Sequence, residues 1–138
     1  MTPNRPASTS AKLRLTYAGS TALLTIDNPS ANTWDEESLV ALPRLVEALN
    51  QDRQTTCLML TRAGNRFFSA GADLKLFADG DKARARRMAR LFGAAFETLS
   101  AYQGLSIAAI NGYAMGGGLE CALACDLRVG CPSTFFTT

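Results

Sequence analysis

The chain has 138 residues, 47% hydrophobic and 19% charged, a composition typical of one globular domain with its own core. Its net charge of +2 is too small to indicate nucleic-acid binding. It contains no histidine, which excludes Ser-His-Asp and Cys-His catalysis and histidine-ligated metal sites within the chain.

The first predicted elements are a polar N-terminal arm and a β-hairpin. Residues 1–11 are rich in Ser, Thr and Pro and lack the apolar core of a signal peptide, so we predict a disordered arm. Polar and apolar residues then alternate over residues 12–17 and, more loosely, over residues 22–26. This pattern predicts two strands that are joined at Gly19 and Ser20.

A helix is predicted after Pro29, which ends the second strand. Residues 33–36 form a capping-box pattern. An apolar stripe at helical spacing follows, formed by Leu39, Leu42, Val46 and Leu49. Pro43 falls inside this helix, and we expect it to kink or split the helix.

Helices and short apolar strands alternate through the rest of the chain. We predict strands over 57–61, 106–110 and 126–129 and helices over 81–102 and 119–125. The longer helix has core spacing at Met88, Leu91, Phe92, Ala95, Phe96 and Leu99. The alternation indicates an α/β fold with a mostly parallel sheet.

Three consecutive glycines, residues 116–118, separate the strand over 106–110 from the last helix. The N–H groups at a helix start lack intrahelical partners, and groups of this kind can hold an oxyanion. Glu120 follows on the first helical turn, where a general acid or base could reach the same ligand. The run lacks the lysine of a P-loop and the spacing of a dinucleotide fingerprint. The alternative is close packing of the helix against the sheet.

A second run of small residues follows the strand over 57–61. Ser69, Ala70, Gly71 and Ala72 offer another set of exposed backbone N–H groups, and Asp73 is suited to cap a following helical turn. The alternative is an ordinary loop between a strand and a helix.

Together the two segments resemble the enoyl-CoA hydratase/isomerase (crotonase) superfamily. The resemblance lies in residues 68–75 and 111–120, is extended by residues 125–129 and 27–29, and covers about residues 13–129. Within the superfamily, the chain is most similar to the enoyl-CoA hydratases. It implies the N-terminal portion of a crotonase-like ββα spiral.

The resemblance also implies a site for an acyl-CoA thioester. The carbonyl oxygen would lie between the backbone N–H groups of Ala72 and Gly117, and Glu120 would be the catalytic residue that handles water. Further substrate or coenzyme A contacts are implied for Ala70, Gly71, Asp73, Leu74, Lys75 and Gly116. The implied reaction adds water to 2-enoyl-CoA to give 3-hydroxyacyl-CoA in fatty-acid or related metabolism. It needs no cofactor beyond the coenzyme A of the substrate.

The resemblance stops at about Val129. Residues 130–138 contain no acidic residue and do not match the family pattern, which places a second catalytic glutamate and closing helices further along. We therefore expect a truncated chain that is divided into residues 1–11, 12–129 and 130–138. Two alternatives stay open: an isomerase or another crotonase-family enzyme, and an acyl-CoA-binding remnant without catalysis.

A cluster of basic residues lies on the helix over 81–102, at Lys82, Arg84, Arg86, Arg87 and Arg90. A solvated helix face is the simplest interpretation, and attraction of the coenzyme A phosphates is the alternative. Nucleic-acid binding is not favoured, because Phe92 and Phe96 follow core spacing instead of lying among the basic residues.

The chain has four cysteines and no CxxC pair: Cys57, Cys121, Cys125 and Cys131. We expect free thiols, no metal site and a cytoplasmic location. The apolar stretch over 105–129 is interrupted by polar and charged residues, so no membrane span is predicted. The resemblance implies that full-length relatives form homotrimers or hexamers.

Overall fold

The computed structural model describes residues 4–138. Within them the chain forms a mixed α/β fold with two sheets. No helix in this part is both long and apolar enough to span a bilayer. The elements in chain order are β1 (Leu13–Ala18), β2 (Thr21–Ile26), α1 (Glu36–Gln51), β3 (Cys57–Arg62), β4 (Phe67–Ser69), a 3₁₀ helix (Leu74–Phe77), α2 (Lys82–Ser100), β5 (Leu105–Ile110), β6 (Tyr113–Met115), α3 (Gly117–Ala124), β7 (Leu127–Gly130) and β8 (Phe135–Thr137).

The larger sheet has the strand order β1-β2-β3-β5-β7. Strands β1 and β2 form the predicted antiparallel hairpin, and the other three pairings are parallel. The predicted, mostly parallel sheet is therefore confirmed. Alternate residues of the strands are fully buried in the core, among them Leu24, Leu58, Leu60 and Ala108, as expected for strands covered on one face by helices.

Helix α1 begins two residues later than the capping pattern predicted. Asp35 is the N-cap: its side chain accepts a hydrogen bond from the Ser38 N–H (3.0 Å), and the Ser38 hydroxyl accepts one from the Asp35 N–H (3.0 Å). The predicted split at Pro43 is wrong, since the helix continues from Glu36 to Gln51. Proline removes one hydrogen bond, but the buried stripe holds both halves of α1 on the core.

A second, smaller sheet of three parallel strands, β4-β6-β8, was not predicted. Its third strand, Phe135–Thr137, lies in residues 130–138, for which the sequence predicted no helix or strand. Tyr113 packs edge-on against both Phe67 and Phe135, with ring centroids 5.6 Å apart in each pair. This sheet positions the site, because β4 leads into the first glycine-containing loop and β6 leads into the glycine run.

The N-terminal arm contacts the domain instead of being disordered over residues 4–11. The guanidinium of Arg5 stacks on the Tyr17 ring, 3.8 Å from its centroid, and its Nε lies 3.2 Å from the Asp52 carboxylate. An arginine can stack and donate several hydrogen bonds at once, which explains how one side chain fixes a polar segment. Residues 1–3 of the predicted arm lie outside the described part of the chain.

Candidate functional site

The two glycine-containing loops that the sequence singled out are in contact. Gly71 has φ +93°, and a Cβ at this position would lie 2.8 Å from both the Gly117 nitrogen and the Met115 carbonyl oxygen. Such a distance is too short for a carbon atom, and the backbone conformation is one that favours glycine. The loop after β4 therefore approaches the start of α3 closely because residue 71 has no side chain.

The backbone N–H of Ala72 points away from Trp34, which is hydrogen-bonded to the residues on either side of Ala72. Trp34 and Ala72 form an isolated parallel β-bridge. The Trp34 N–H donates to the Gly71 carbonyl (2.8 Å), and the Asp73 N–H donates to the Trp34 carbonyl (3.3 Å). Since neighbours on either side of Ala72 make these bonds, its own N–H faces the opposite side. Across residues 4–138, this N–H has no protein acceptor.

The N–H of Gly117 is also without an acceptor in the described part of the chain. Gly117 is the first residue of α3, and N–H groups in this position have no intrahelical partner. Gly116, with φ +50°, uses its N–H on the Thr137 carbonyl (2.9 Å). Gly118 fits the alternative interpretation of the glycine run, because a Cβ there would lie 2.1 Å from the Ser69 carbonyl oxygen. The run thus combines a free donor with close packing.

Ala72, Gly117 and Glu120 line one cavity of about 600 Å³. Among the described residues, Glu120 is the only ionisable side chain in the cavity wall. It is exposed. The remaining lining residues are Phe77, Ala85, Ala89, Phe92, Gly93 and Phe96. The site therefore combines two backbone donors, one carboxylate and an apolar wall.

Most of the apolar wall comes from one face of α2 and was not predicted. The sequence assigned Phe92 and Phe96 to the core and gave no role to Ala85, Ala89 and Gly93. These five residues recur at helical spacing, which was the available signal. The small side chains of Ala85 and Ala89 leave room for a ligand, and a Cβ at Gly93 would meet no atom within 4 Å.

Like Gly116 and Asp73, the predicted contact residues Ala70 and Gly71 use their N–H groups within the protein. The Ala70 N–H donates to the Ala31 carbonyl (2.9 Å), and the Gly71 N–H donates to the Ser69 hydroxyl (3.1 Å). Together with Gly116, these residues shape the loops but do not line the cavity. Their contacts with coenzyme A stay predictions.

Asp73 caps the short 3₁₀ helix, as predicted, by accepting a hydrogen bond from the Lys75 N–H (3.1 Å). Leu74 is 78% exposed, and Lys75 is also exposed. None of the three lines the cavity, and their proposed contacts with substrate likewise stay predictions.

The basic residues of α2 are all exposed. Arg84 pairs with Asp79 (2.6 Å), and Arg87 pairs with Glu36. For the remaining three, Lys82, Arg86 and Arg90, no ion pair is found in the part of the chain that the structure describes. The helix thus presents an apolar face to the cavity and cationic groups to solvent.

The four cysteines differ in burial: Cys121 and Cys125 are buried, Cys57 is partly buried and Cys131 is exposed. Residues 4–138 contain no group of three or more His, Cys, Asp or Glu side chains that could hold a metal ion. Burial raises the pKa of the Cys121 thiol well above its usual value and that of Cys125 to about 12. Hydrogen bonds from the hydroxyls of Ser133 and Thr134 lower the pKa of the exposed Cys131 thiol.

The chain is similar to several proteins of known name or structure. It is 34% identical to the crotonyl-CoA hydratase of Syntrophomonas wolfei over 116 residues, 83% of this chain and 45% of that protein. It is 38% identical to the carnitinyl-CoA dehydratase of Escherichia coli K12 over 120 residues, 87% of this chain and 46% of that protein. The solved structure of DspI from Pseudomonas aeruginosa is 59% identical with a TM-score of 0.90, covering 92% of this chain and 48% of that one. The chain spans about half the length of these proteins.

The similarity also identifies the family and the fold. Superposition on solved enoyl-CoA hydratases confirms the predicted crotonase fold. The sequence profile of the enoyl-CoA hydratase/isomerase family matches residues 16–138. This range includes residues 130–138, for which we had predicted no match. The chain therefore belongs to the enoyl-CoA hydratase/isomerase family.

Proposed function

We propose that the cavity binds the thioester group of a 2-enoyl-CoA and supports its hydration to a 3-hydroxyacyl-CoA. One observation carries the proposal: one cavity is lined by Glu120 and by Ala72 and Gly117, whose N–H groups have no acceptor among the described residues. Membership of the family supports an acyl-CoA as the ligand. The names of two relatives, a crotonyl-CoA hydratase and a carnitinyl-CoA dehydratase, support the addition or removal of water.

In this proposal the two N–H groups donate to the thioester carbonyl oxygen. This polarises the conjugated double bond, so that the β carbon becomes electrophilic and enolate charge develops on the oxygen. Fixed donors stabilise that charge, and the loss of one such donor typically costs about 2.7–4 kcal/mol of transition-state stabilisation.

Glu120 handles the protons of this reaction. The water oxygen bonds to the β carbon, and the carboxylate of Glu120 accepts the proton that this water loses. The α carbon of the enolate then takes up a proton, which returns Glu120 to its ionised form. Atoms and charge balance, since water is divided between the two carbons of the former double bond.

A second candidate function is the binding of acyl-CoA without turnover. The observation that favours it is that Glu120, the only ionisable residue of the described cavity wall, is exposed. Such a chain would keep both backbone donors and hold the thioester without moving protons. Isomerisation or another reaction of the family uses the same carbonyl contact and is the further alternative.

We also propose that this reaction belongs to fatty-acid or related acyl-CoA metabolism. The proposal includes no cofactor beyond the coenzyme A of the substrate, a cytoplasmic location, and homotrimers or hexamers for longer relatives. The four free cysteines support the location. Lys82, Arg86 and Arg90 of α2 make no ion pair within residues 4–138, which supports attraction of the coenzyme A phosphates.

Binding is tested by calorimetry with butyryl-CoA, which has the thioester but no double bond to hydrate. Gly117→Pro removes the N–H, whereas Gly117→Ala keeps it but places a Cβ 2.9 Å from the Phe92 ring. Adding Phe92→Leu to both variants relieves that contact. We expect the proline variant to bind more weakly than its alanine counterpart by about 0.5–1.5 kcal/mol, the net value of one hydrogen bond. Equal affinities would contradict the proposed donor.

Turnover is tested with crotonyl-CoA. General acid–base groups contribute roughly 10²–10⁴-fold, so Glu120→Gln should reduce hydration strongly, while a change below about threefold would exclude the role. Butyryl-CoA affinity should stay near the wild-type value, because the backbone donors are unchanged. Binding by the wild-type chain without any hydration would favour the second candidate function.

A further inference from the structure

Residues 31–34 form a short segment that lies beside the loop of the proposed oxyanion site. We infer that Asn32 in this segment is a positioning residue, whose buried amide fixes the direction of the Ala72 N–H. The inference rests on the proposed function. It assigns a role to a side chain that does not line the cavity.

The amide of Asn32 is buried and fully hydrogen-bonded. The residue is 4% exposed and has φ +52°, a conformation that asparagine tolerates better than most residues. Its Nδ2 donates to the Ala63 carbonyl (3.0 Å) and to the Phe67 carbonyl (2.9 Å), and its Oδ1 accepts from the Asn28 N–H (2.9 Å). The side chain therefore ties its own segment to the turn before β4.

Backbone hydrogen bonds pass this constraint to the loop that carries Ala72. On one side of Asn32, the Ala31 carbonyl accepts from the Ala70 N–H (2.9 Å). On the other side, Trp34 bonds to the residues before and after Ala72 (2.8 and 3.3 Å). A shift at residue 32 therefore moves both anchors of the loop and changes where the Ala72 N–H points.

The same segment also reaches the wall near the second donor. The Trp34 ring is fully buried and packs edge-on against Phe96, with centroids 5.6 Å apart. Phe96 packs in turn on Phe92, 5.8 Å away, and Phe92 lies against Gly117. Oxyanion donors act at distances of about 2.7–3.1 Å, so a small displacement of either donor reduces carbonyl polarisation.

The test is the infrared difference spectrum of butyryl-CoA, isotope-labelled at the thioester carbonyl and bound to the 138-residue chain. Hydrogen bonds to the carbonyl oxygen lower its stretching frequency, so the band reports donor geometry separately from affinity. Asn32→Asp keeps the side-chain shape but removes the two N–H donors. Asn32→Gly removes the amide and keeps the freedom to adopt positive φ.

Arg5→Ala is the matched control. Arg5 donates to the Asp52 carboxylate and the Thr55 hydroxyl, and neither partner lines the cavity. The control therefore removes a comparable set of hydrogen bonds elsewhere in the domain. It should lower stability without moving the carbonyl band.

We expect both Asn32 variants to lose roughly half or more of the wild-type frequency shift, and Arg5→Ala to keep it. If the wild-type band is shifted and the Asn32 variants keep the full shift, the inference is overturned and the proposed function stands. If the wild-type band is not shifted, the inference and the proposed function fail together. If both Asn32 variants lose the folded circular dichroism spectrum while Arg5→Ala keeps it, Asn32 serves stability alone and the positioning role is overturned.

Discussion

Gly71 is the residue on which the geometry of the site depends most directly. Its positive φ and the 2.8 Å approach to two backbone atoms are independent reasons for a residue without a side chain. The neighbours are the Gly117 nitrogen and the Met115 carbonyl oxygen, which cannot move aside by changing a rotamer. The two loops must separate if residue 71 gains a Cβ.

We predict that Gly71→Ala destabilises the fold by about 1–3 kcal/mol, because it combines backbone strain with a clash. It should also weaken butyryl-CoA binding, since the Ala72 and Gly117 donors move apart. Urea unfolding and calorimetry measure the two effects. Gly80→Ala is the control: Gly80 has φ +69°, but no atom lies within 4 Å of its ideal Cβ. If Gly71→Ala binds butyryl-CoA as well as the Gly80 variant does, the loop contact does not set the site.

At this scale the sequence singled out three residues that the structure brings to one cavity, but it did not predict the residues around them. Ala72, Gly117 and Glu120 were identified from two motifs, and the structure brings them to one cavity. The direction of the Ala72 N–H depends on its bridge to Trp34, which is distant in sequence. The wall from α2 was not predicted, because helical spacing of apolar residues is the same on a core face and on a cavity face.

At the scale of elements, the start of α1 carries a clear electrostatic signature. Burial disfavours ionisation of Asp35, but hydrogen bonds from Lys12 and Ser38 outweigh it and hold the pKa of this carboxyl below its usual value. The hydrogen bond to Asp35 raises the pKa of Lys12 in turn. The folded state therefore gains stability from the ionised carboxylate above the unfolded pKa of about 3.9, and loses it as pH falls through the lower folded pKa.

We predict that Asp35→Ala lowers the free energy of unfolding by about 0.5–2 kcal/mol at neutral pH, the usual value of an N-cap. The acid-side decline in stability below pH of about 4 should become shallower. Urea unfolding at a series of pH values measures both. Asp35→Asn separates the causes, because asparagine is a good N-cap without a charge: it should recover most of the stability but not the pH dependence. An unchanged acid-side slope in both variants would contradict the assignment.

The predictability of each element followed its length. The five strands of the larger sheet and the three helices were found from periodicity, with bounds that differ by a few residues. The strands β4, β6 and β8 have three residues each, too few for an alternating pattern to emerge. Their pairing depends on tertiary contacts such as the packing of Tyr113 on Phe135, which local sequence does not encode.

At the scale of the whole molecule, exposed apolar side chains gather on the last three elements. They are Leu123 of α3, Leu127 and Val129 of β7, and Phe135 and Phe136 of β8, each between 48% and 60% exposed. Strand β7 is also an edge of the larger sheet. Edge strands offer unpaired N–H and C=O groups, and apolar patches beside them promote association.

We predict that the chain associates through this edge as its concentration rises, measured by sedimentation velocity over a dilution series. Replacing Leu127 and Val129 together by lysine should suppress association, because charge on an edge strand opposes pairing. Leu74→Lys is the control, since Leu74 is 78% exposed but lies on the 3₁₀ helix. It removes a more exposed apolar side chain without changing the edge, so it should associate like wild type. A wild-type chain that stays monomeric at every concentration would contradict the prediction. If the Leu74 variant suppresses association as strongly as the edge variant does, general surface hydrophobicity governs association instead of the β7 edge.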